Sequence, residues 1–430
     1  LRRPPGAGAP SGSAGGGAGD APGASSHDSL ALATRAGAAG NAASGGSSRK
    51  VSGRFGPSTP RAACYAPSAF GKRQGPGALP KRREFTYVPR LLQGAHTMTR
   101  TAILGVGHYA PSRVVTNDDL AKMFNTSDEW IQQRTGIRER RFIEHDGIGA
   151  SDLAVPAVQM ACERAGVDPK EIDAIIFATL SPDVFFPGSG CFLQRKLGLG
   201  PVPALDIRNQ CSGFLYGLSI ADGWIRAGMY KRVALVGAEV HSTGIDLSDE
   251  GRDVAVLFGD GAGAAILGPT EDTERCVQSV TLAADGVGAE DLWMEAPSSR
   301  RSPHRITHEM LDARMHYPTM NGKQVFRWAT EKMPAASREA LTMAGKTRDD
   351  VDLFVPHQAN LRINEFVARK LEIPMEKVCT SIDRYGNTTA ASIPLTLSEA
   401  IADGRAKPGS LLLFSAFGSG YTWGAGVVRL

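Results

Sequence analysis

The chain echoes itself. Ala165-Gly166 leads through an acidic turn to the apolar run Ile172-Asp173-Ala174-Ile175-Ile176, and 179 residues later Ala344-Gly345 leads through another to Val351-Asp352-Leu353-Phe354-Val355. Phe258-Gly259-Asp260-Gly261 returns 159 residues on as Phe417-Gly418-Ser419-Gly420. The helix-like stretch after Cys211 ends at Ala227-Gly228, and the one after Asn387 ends at Asp403-Gly404; a shift of 176 superposes them and lays Cys211 on Asn387. The matches are short and their spacings differ, but their common order predicts a duplicated fold with halves over 98–270 and 275–430.

Within the halves, strand-like and helix-like pieces alternate. Thr101–Val106 reads as a short strand, and Asn117-Asp118-Asp119 as the capped start of a helix through Met123. Ser151–Arg164 reads as an amphipathic helix stopped by Gly166, with Ile172–Leu180, Lys231–Val240 and Val254–Leu267 as buried strands. Such alternation predicts an α/β fold.

Residues 1–97 are different in kind. Gly, Ala, Ser and Pro fill 58 of these positions, and 13 Lys and Arg face 3 Asp and Glu, while the remaining residues carry 35 basic against 41 acidic side chains. The segment lacks apolar periodicity and reads as a disordered basic tail, either an organelle leader or upstream sequence ahead of a start at Met98. The basic balance belongs to this tail, so the body gives no reason to expect nucleic-acid binding. Six cysteines without paired spacing predict neither a metal site nor a disulfide framework, and they fit a reducing compartment. No apolar run reaches the ~18–20 residues that span a bilayer, so a cytoplasmic location is expected, or an organelle stroma or matrix if the tail is a leader.

Three positions carry chemistry. Cys211, in DIRNQCSGFLYGL, falls between a strand over Pro203–Ile207 and a helix carrying Phe214, Leu215, Leu218, Ala221, Trp224 and Ile225. At a helix N-terminus the free N–H groups favour a thiolate and offer oxyanion donors, so Cys211 is a candidate nucleophile with a lowered pKa; the competing reading is a small buried hydrophobe. His357 stands just beyond an apolar strand ending at Pro356, where side chains of open α/β sheets line the ligand crevice. None of the other eight histidines has that placement. Asn387 alone reads as an ordinary cap; its correspondence with Cys211 is what brings it toward the same cleft. FGDGAGAAILG superficially suits a dinucleotide loop, but the residues after it continue as a strand, so it reads as a tight turn.

These residues, with TSDEWIQQRTGIRER, FGDGAGAAIL, VPHQANLRI, GNTTAAS and FGSGYTWGAGVVRL, resemble the β-ketoacyl-acyl carrier protein synthase III family over nearly all of 98–430. The resemblance implies a thiolase-like five-layered αβαβα sandwich of two duplicated halves, usually a homodimer, working without a cofactor or metal. It implies that Cys211 takes an acyl group from acyl-CoA, that His357 and Asn387 donate hydrogen bonds to the enolate formed from malonyl-acyl carrier protein, and that the backbone N–H groups of Cys211 and Ser419 form the oxyanion hole. By motif, Trp130, Arg134 and Arg252 would hold the nucleotide end of CoA. Phe186 and Phe326 would line the acyl tunnel, and Arg327, Arg362, Arg369 and Lys370 would meet the acidic carrier protein. The chain departs from the familiar member at Arg208-Asn209-Gln210, at Ser419 in place of a glycine, and at Tyr385 in place of a common His. A cysteine acyltransferase or thioester hydrolase of the same fold is the alternative enzyme, and a non-catalytic scaffold the alternative of another class.

Overall fold

The computed structural model describes residues 99–430; the expectations for residues 1–97 and for a start at Met98 lie outside the described residues. Among the described residues two short antiparallel pairs stand apart, Arg113–Thr116 with Glu139–Phe142 and Leu292–Trp293 with Thr319–Met320, and the other nine of thirteen strands build two large sheets. The first holds β1 (Arg100–Tyr109), β2 (Ala174–Ala178), β3 (Ala204–Ile207), β4 (Val233–Glu239) and β5 (Gly261–Thr270) in the order β1-β5-β4-β2-β3. The second holds β6 (Val277–Ala284), β7 (Leu353–Pro356), β8 (Leu411–Gly418) and β9 (Thr422–Arg429) in the order β7-β8-β9-β6. In both sheets the pair leading into a crossover is parallel (β2–β4, β7–β8) and the two pairs that follow are antiparallel. The first sheet has a fifth strand, β3, parallel to β2. In the second, one parallel bridge from Phe354 to Val378 occupies that place.

Five helices layer these sheets: α1 (Ala150–Ala165), α2 (Gly213–Arg226), α3 (Gly322–Met343), α4 (Leu361–Leu371) and α5 (Ser392–Ala402). Side chains alternate across a strand, so each central strand feeds two cores. Ala174 and Ile176 of β2 join Phe214, Leu215, Ile393 and Leu397 of α2 and α5, where Leu412 and Phe414 of β8 also meet them. Ile175 and Phe177 turn the other way onto Leu153, Ala157 and Ala161 of α1. Leu411 and Leu413 pack onto Met333, Leu341, Val367 and Leu371 of α3 and α4. The result is helix, sheet, helix pair, sheet, helix pair. Strands covered on both faces must be apolar at nearly every position, which is why AIIFA and LLLF run without alternation. Among the described residues no helix is long and apolar enough to cross a membrane.

Several boundaries move. Val254–Leu267 is not one strand: Arg252–Ala255 is a helical turn, and β5 begins only at Gly261. The break follows from Asp260, whose carboxylate accepts N–H bonds from Ile143, His241 and Ser242 and so anchors a corner. The helix at Asn117 runs only to Ala121 and is capped by Thr116 with Asp119; Asn117 is instead buried, donating to Asp128 and Ile137.

The duplication is in a different register at the reacting turns. Gln210–Ser212 forms one 3-10 turn before α2, and Thr389–Ala391 a matching one before α5. Each opens on a non-glycine residue in the left-handed region, Gln210 at φ 42° and Thr389 at φ 50°. The shift here is 179, as at the strands, which sets Cys211 against Ala390 and not Asn387. Helix α2 has 14 residues and α5 has 11, and the three missing residues produce the 176 spacing at their ends. There Gly228 and Gly404 both take φ 71°, the left-handed stop that glycine adopts without a Cβ clash.

Candidate active site

Cys211 is buried in the turn between β3 and α2. The β8–β9 hairpin crosses directly over it: a Cβ placed on Gly418 would lie 3.0 Å from Cys211 Cβ and 3.1 Å from its N. The crossing is fastened by Ser212 Oγ, which meets Thr422 Oγ1 at 2.7 Å and donates to the Asn209 carbonyl at 2.9 Å. Ser419 follows with a φ outside the left-handed region, a task that falls to Gly420 at φ 129°. A serine therefore fits there without strain.

The backbone N–H groups of Cys211 and Ser419 both bond toward the sulfur and favour the thiolate. They do not prevail. Burial, followed by the negative field of Glu239, pushes the thiol up to about 12, so the expected lowering of its pKa is overturned. Desolvation of a fully enclosed charge outweighs two peptide dipoles. The resting group is a thiol.

Glu239 ends β4 and is fully buried. Its carboxylate accepts from the hydroxyls of Thr179 and Ser181 and from the N–H groups of Leu180 and Ser181, while burial holds its pKa up at about 7. An acid closing the apolar run VALVGAE was the available sequence signal. His241 was missed as well, although it stands two residues past the end of β4, much as His357 follows β7. It is buried, lies tilted against Phe258 with ring centroids 4.6 Å apart and pairs its Nε2 with Thr389 Oγ1 at 2.7 Å.

His357 is buried at the end of β7 and neutral, since burial holds its pKa down at about 3. Its Nδ1 meets Ser392 Oγ at 2.7 Å, while Nε2 has no hydrogen-bond partner among the described residues. Asn387 is held from both sides, its N–H donating to Leu257 and its carbonyl accepting from Gly259. The side-chain oxygen accepts the Thr389 N–H at 2.8 Å. That fixes the amide so that its NH2 is the remaining, outward group.

Cys211, His357 and Asn387 line one cavity of about 470 Å³, along with Trp130, Arg134 and Phe326. Cys211 also lines a second cavity of about 650 Å³, shared with Arg208, Gln210, His241 and Ser419. The thiol thus stands where two chambers meet. The guanidinium groups of Arg134 and Arg252 lie 4.3 and 4.7 Å from the Trp130 ring centroid, within cation–π range. Arg362 lines the first cavity, as does Lys323, which the sequence reading passed over. Arg327, Arg369 and Lys370 are exposed on α3 and α4 outside it, the last two beside the Phe366 ring. Phe186 lines neither cavity: it is 78% exposed, so within its own chain it is not a tunnel residue. Tyr385 donates to Glu399 at 2.8 Å and lines neither cavity.

Similarity decides what this constellation belongs to. The family model described as 3-oxoacyl-[acyl-carrier-protein (ACP)] synthase III matches residues 205–286, and its C-terminal counterpart matches residues 341–430. A β-ketoacyl-[acyl-carrier-protein] synthase III of Roseiflexus sp. (strain RS-1) is 45% identical over 328 residues, covering 76% of this chain and 98% of the relative. The chain belongs to the 3-oxoacyl-[acyl-carrier-protein] synthase III family. A synthase III of Geobacillus kaustophilus is likewise 45% identical over 327 residues, 76% of this chain and 98% of that one. Among solved structures, the synthase III of Aquifex aeolicus VF5 aligns with a TM-score of 0.70 at 42% identity, over 77% of this chain and all of the other. The priming β-ketosynthase of the R1128 polyketide pathway aligns with a TM-score of 0.69 at 35% identity, over 78% of this chain and 98% of the other. The family's fold is the thiolase-like sandwich described above.

Proposed function

We propose that the chain condenses an acyl-CoA with malonyl-acyl carrier protein, with loss of carbon dioxide, to give a 3-oxoacyl-acyl carrier protein. The observation that carries this reading is one cavity in which a buried thiol under two N–H groups faces a buried imidazole nitrogen and a fixed amide. The Cys211 sulfur attacks the thioester carbonyl, the carbon–sulfur bond to CoA breaks, and the thiol proton leaves on CoA. Malonyl thioester then enters. As carbon dioxide departs, the electron pair of the broken bond passes into an enolate whose oxygen takes hydrogen bonds from His357 and Asn387. The enolate carbon attacks the acyl carbonyl while the N–H groups of Cys211 and Ser419 hold its oxyanion, and the Cys211 sulfur leaves and regains a proton.

The Arg134–Trp130–Arg252 group suits the nucleotide end of CoA, with the Phe326 side of the first cavity leading inward and the second cavity receiving the acyl chain. Arg362 and Lys323 at the mouth, with Arg327, Arg369 and Lys370 beyond it, suit an acidic carrier protein. Val184, Phe185 and Phe186 are exposed, as is Leu205 on the edge strand β3, apolar surface that supports a homodimer in which Phe186 reaches the partner. On this reading the work is done in the cytoplasm, or in an organelle stroma or matrix if residues 1–97 are a leader, and no cofactor enters the scheme.

The test incubates the full chain with acyl-CoA and follows mass. An acyl adduct on Cys211, together with malonyl-carrier decarboxylation that disappears in His357→Ala, supports condensation. An adduct without any decarboxylation would leave an acyltransferase or hydrolase, and no adduct at all would leave a scaffold.

A further inference from the structure

His357 is surrounded by groups that decide where its proton sits. Nδ1 lies 2.7 Å from Ser392 Oγ, and the Gln358 N–H donates to the same Oγ at 3.3 Å. That N–H is a backbone group whose direction the planar peptide fixes, and the Gln358 side chain is locked as well. Its Nε2 donates to the carbonyls of Pro356 and Cys379, and its Oε1 accepts the Ser381 N–H. Ser392 is buried at the first position of α5, and its hydroxyl has no further hydrogen-bond partner among the described residues.

A hydroxyl has one proton to give and two lone pairs to receive with. With the Gln358 N–H already donating into Ser392 Oγ, two arrangements remain. If Nδ1 carried the proton, Oγ would accept twice and its own hydrogen would be left without an acceptor in a buried site. If Oγ donates to Nδ1, every group around it is satisfied, and the imidazole proton must sit on Nε2. Leaving a buried donor unmade costs about 1–3 kcal/mol, enough to select the second arrangement.

We infer that Ser392 is a positioning residue that holds neutral His357 in its Nε2–H form, so that this nitrogen faces the cavity as a hydrogen-bond donor and not as a base. The inference rests on the condensing reading above and deepens it. A donor is what a developing enolate oxygen requires. The proton on Nε2 also means that His357 does not remove the Cys211 proton, which agrees with a route that sends that proton out on CoA. The placement is economical in chain length: Asn387 is aimed by the Thr389 N–H and His357 by the Ser392 hydroxyl, two groups within one short turn.

The experiment uses nitrogen-15 histidine in the full chain, with the His357 signals assigned by their loss in His357→Ala. Wild type is expected to give a protonated Nε2 and an unprotonated Nδ1 at neutral pH; the reverse pattern would overturn the inference whatever any variant does. Ser392→Ala is expected to mix the two forms and to slow malonyl-carrier decarboxylation on the order of 10- to 100-fold, the usual effect of removing a group that orients a reacting ring. Its Cys211 should still take up the acyl group, because the acyl-transfer donors lie on other elements. Parallel loss of acylation and decarboxylation, or an unchanged rate with an unchanged His357 pattern, would also overturn it. If His357→Ala itself decarboxylates at the wild-type rate, it is the condensing reading that fails, a result separate from the tautomer of the wild-type ring.

Discussion

The two 3-10 turns that open α2 and α5 are built alike and used differently. Both enter through a left-handed non-glycine residue, and both sit under the partner half of the fold. In the first, the residue after the left-handed position is Cys211, and it faces both cavities. In the second, that residue is Ala390, buried beneath the end of β4, where its carbonyl would lie 2.4 Å from a Cβ on Gly237. Its chemistry has moved to the flanks, Asn387 before the turn and Ser392 behind His357 after it. A duplicated scaffold therefore supplies two equivalent corners; in the proposed reaction one presents the nucleophile while the other aims hydrogen-bond donors at the group it carries.

Removing the functional side chain at each corner should give the largest effects and separate the two roles. Cys211→Ala is expected to abolish the acyl adduct and lower condensation by about 10³-fold or more. Asn387→Ala should leave the adduct intact and slow decarboxylation by about 10²–10³-fold, the scale of a lost oxyanion donor. Intact-mass measurement beside a carbon dioxide assay checks both, and an Asn387→Ala enzyme that fails to acylate would erase the distinction.

The roof over the first turn offers the next effect. Gly418→Ala puts a methyl 3.0 Å from Cys211 Cβ and 3.1 Å from its backbone N, and is expected to destabilise by about 1–3 kcal/mol with slower acylation. Urea unfolding measures the first quantity and adduct formation the second.

Acid distinguishes the second turn, which leans on buried imidazoles. His241 and His357 are both held down at about 3 by burial. The unfolded chain therefore binds more protons than the native one from about pH 6.5 down to 3, and stability falls as pH drops through that window, by up to ~1.4 kcal/mol per pH unit for each ring. Glu239, held up at about 7, has the opposite sign: its contribution declines as pH rises from about 4.5 to 7. In His241→Phe the acid limb should become shallower, as read by urea unfolding at a series of pH values; an unchanged slope would remove His241 from the account.

The smallest effect compares the two left-handed residues. An L side chain in that region costs roughly 1–2 kcal/mol. Gln210 has no side-chain hydrogen bond among the described residues, so Gln210→Gly is expected to be stabilising by up to about 1 kcal/mol. Thr389→Gly loses the His241 bond while relieving the same strain, and should come out near neutral. Thermal unfolding of the pair tests the asymmetry.

Much of this arrangement was legible before folding. Local signals were strong wherever neighbours in sequence are neighbours in space. Ala165-Gly166 stopped a helix, AIIFA and LLLF required two covered faces, and VPHQANLRI put a histidine between a strand and a helix. The same logic misjudged Val254–Leu267, because the apolar run continues through a corner that Asp260 makes with residues from Ile143 and His241. It passed over His241 for a related reason. HST is a polar stretch in sequence, and only the return of the chain at Thr389 and Phe258 encloses it.

The sequence by itself determined the duplication, the alternation of strands and helices, and the choice of Cys211, His357 and Asn387, which line one cavity, since each depends on residue type at a fixed local spacing. Tertiary structure alone decided the register of the two turns, the protonation of the thiol and the direction of the two donors. Those depend on what is packed over and around a group: desolvation, a carboxylate at the end of another strand, and a serine hydroxyl brought 2.7 Å from an imidazole 35 residues away in the chain.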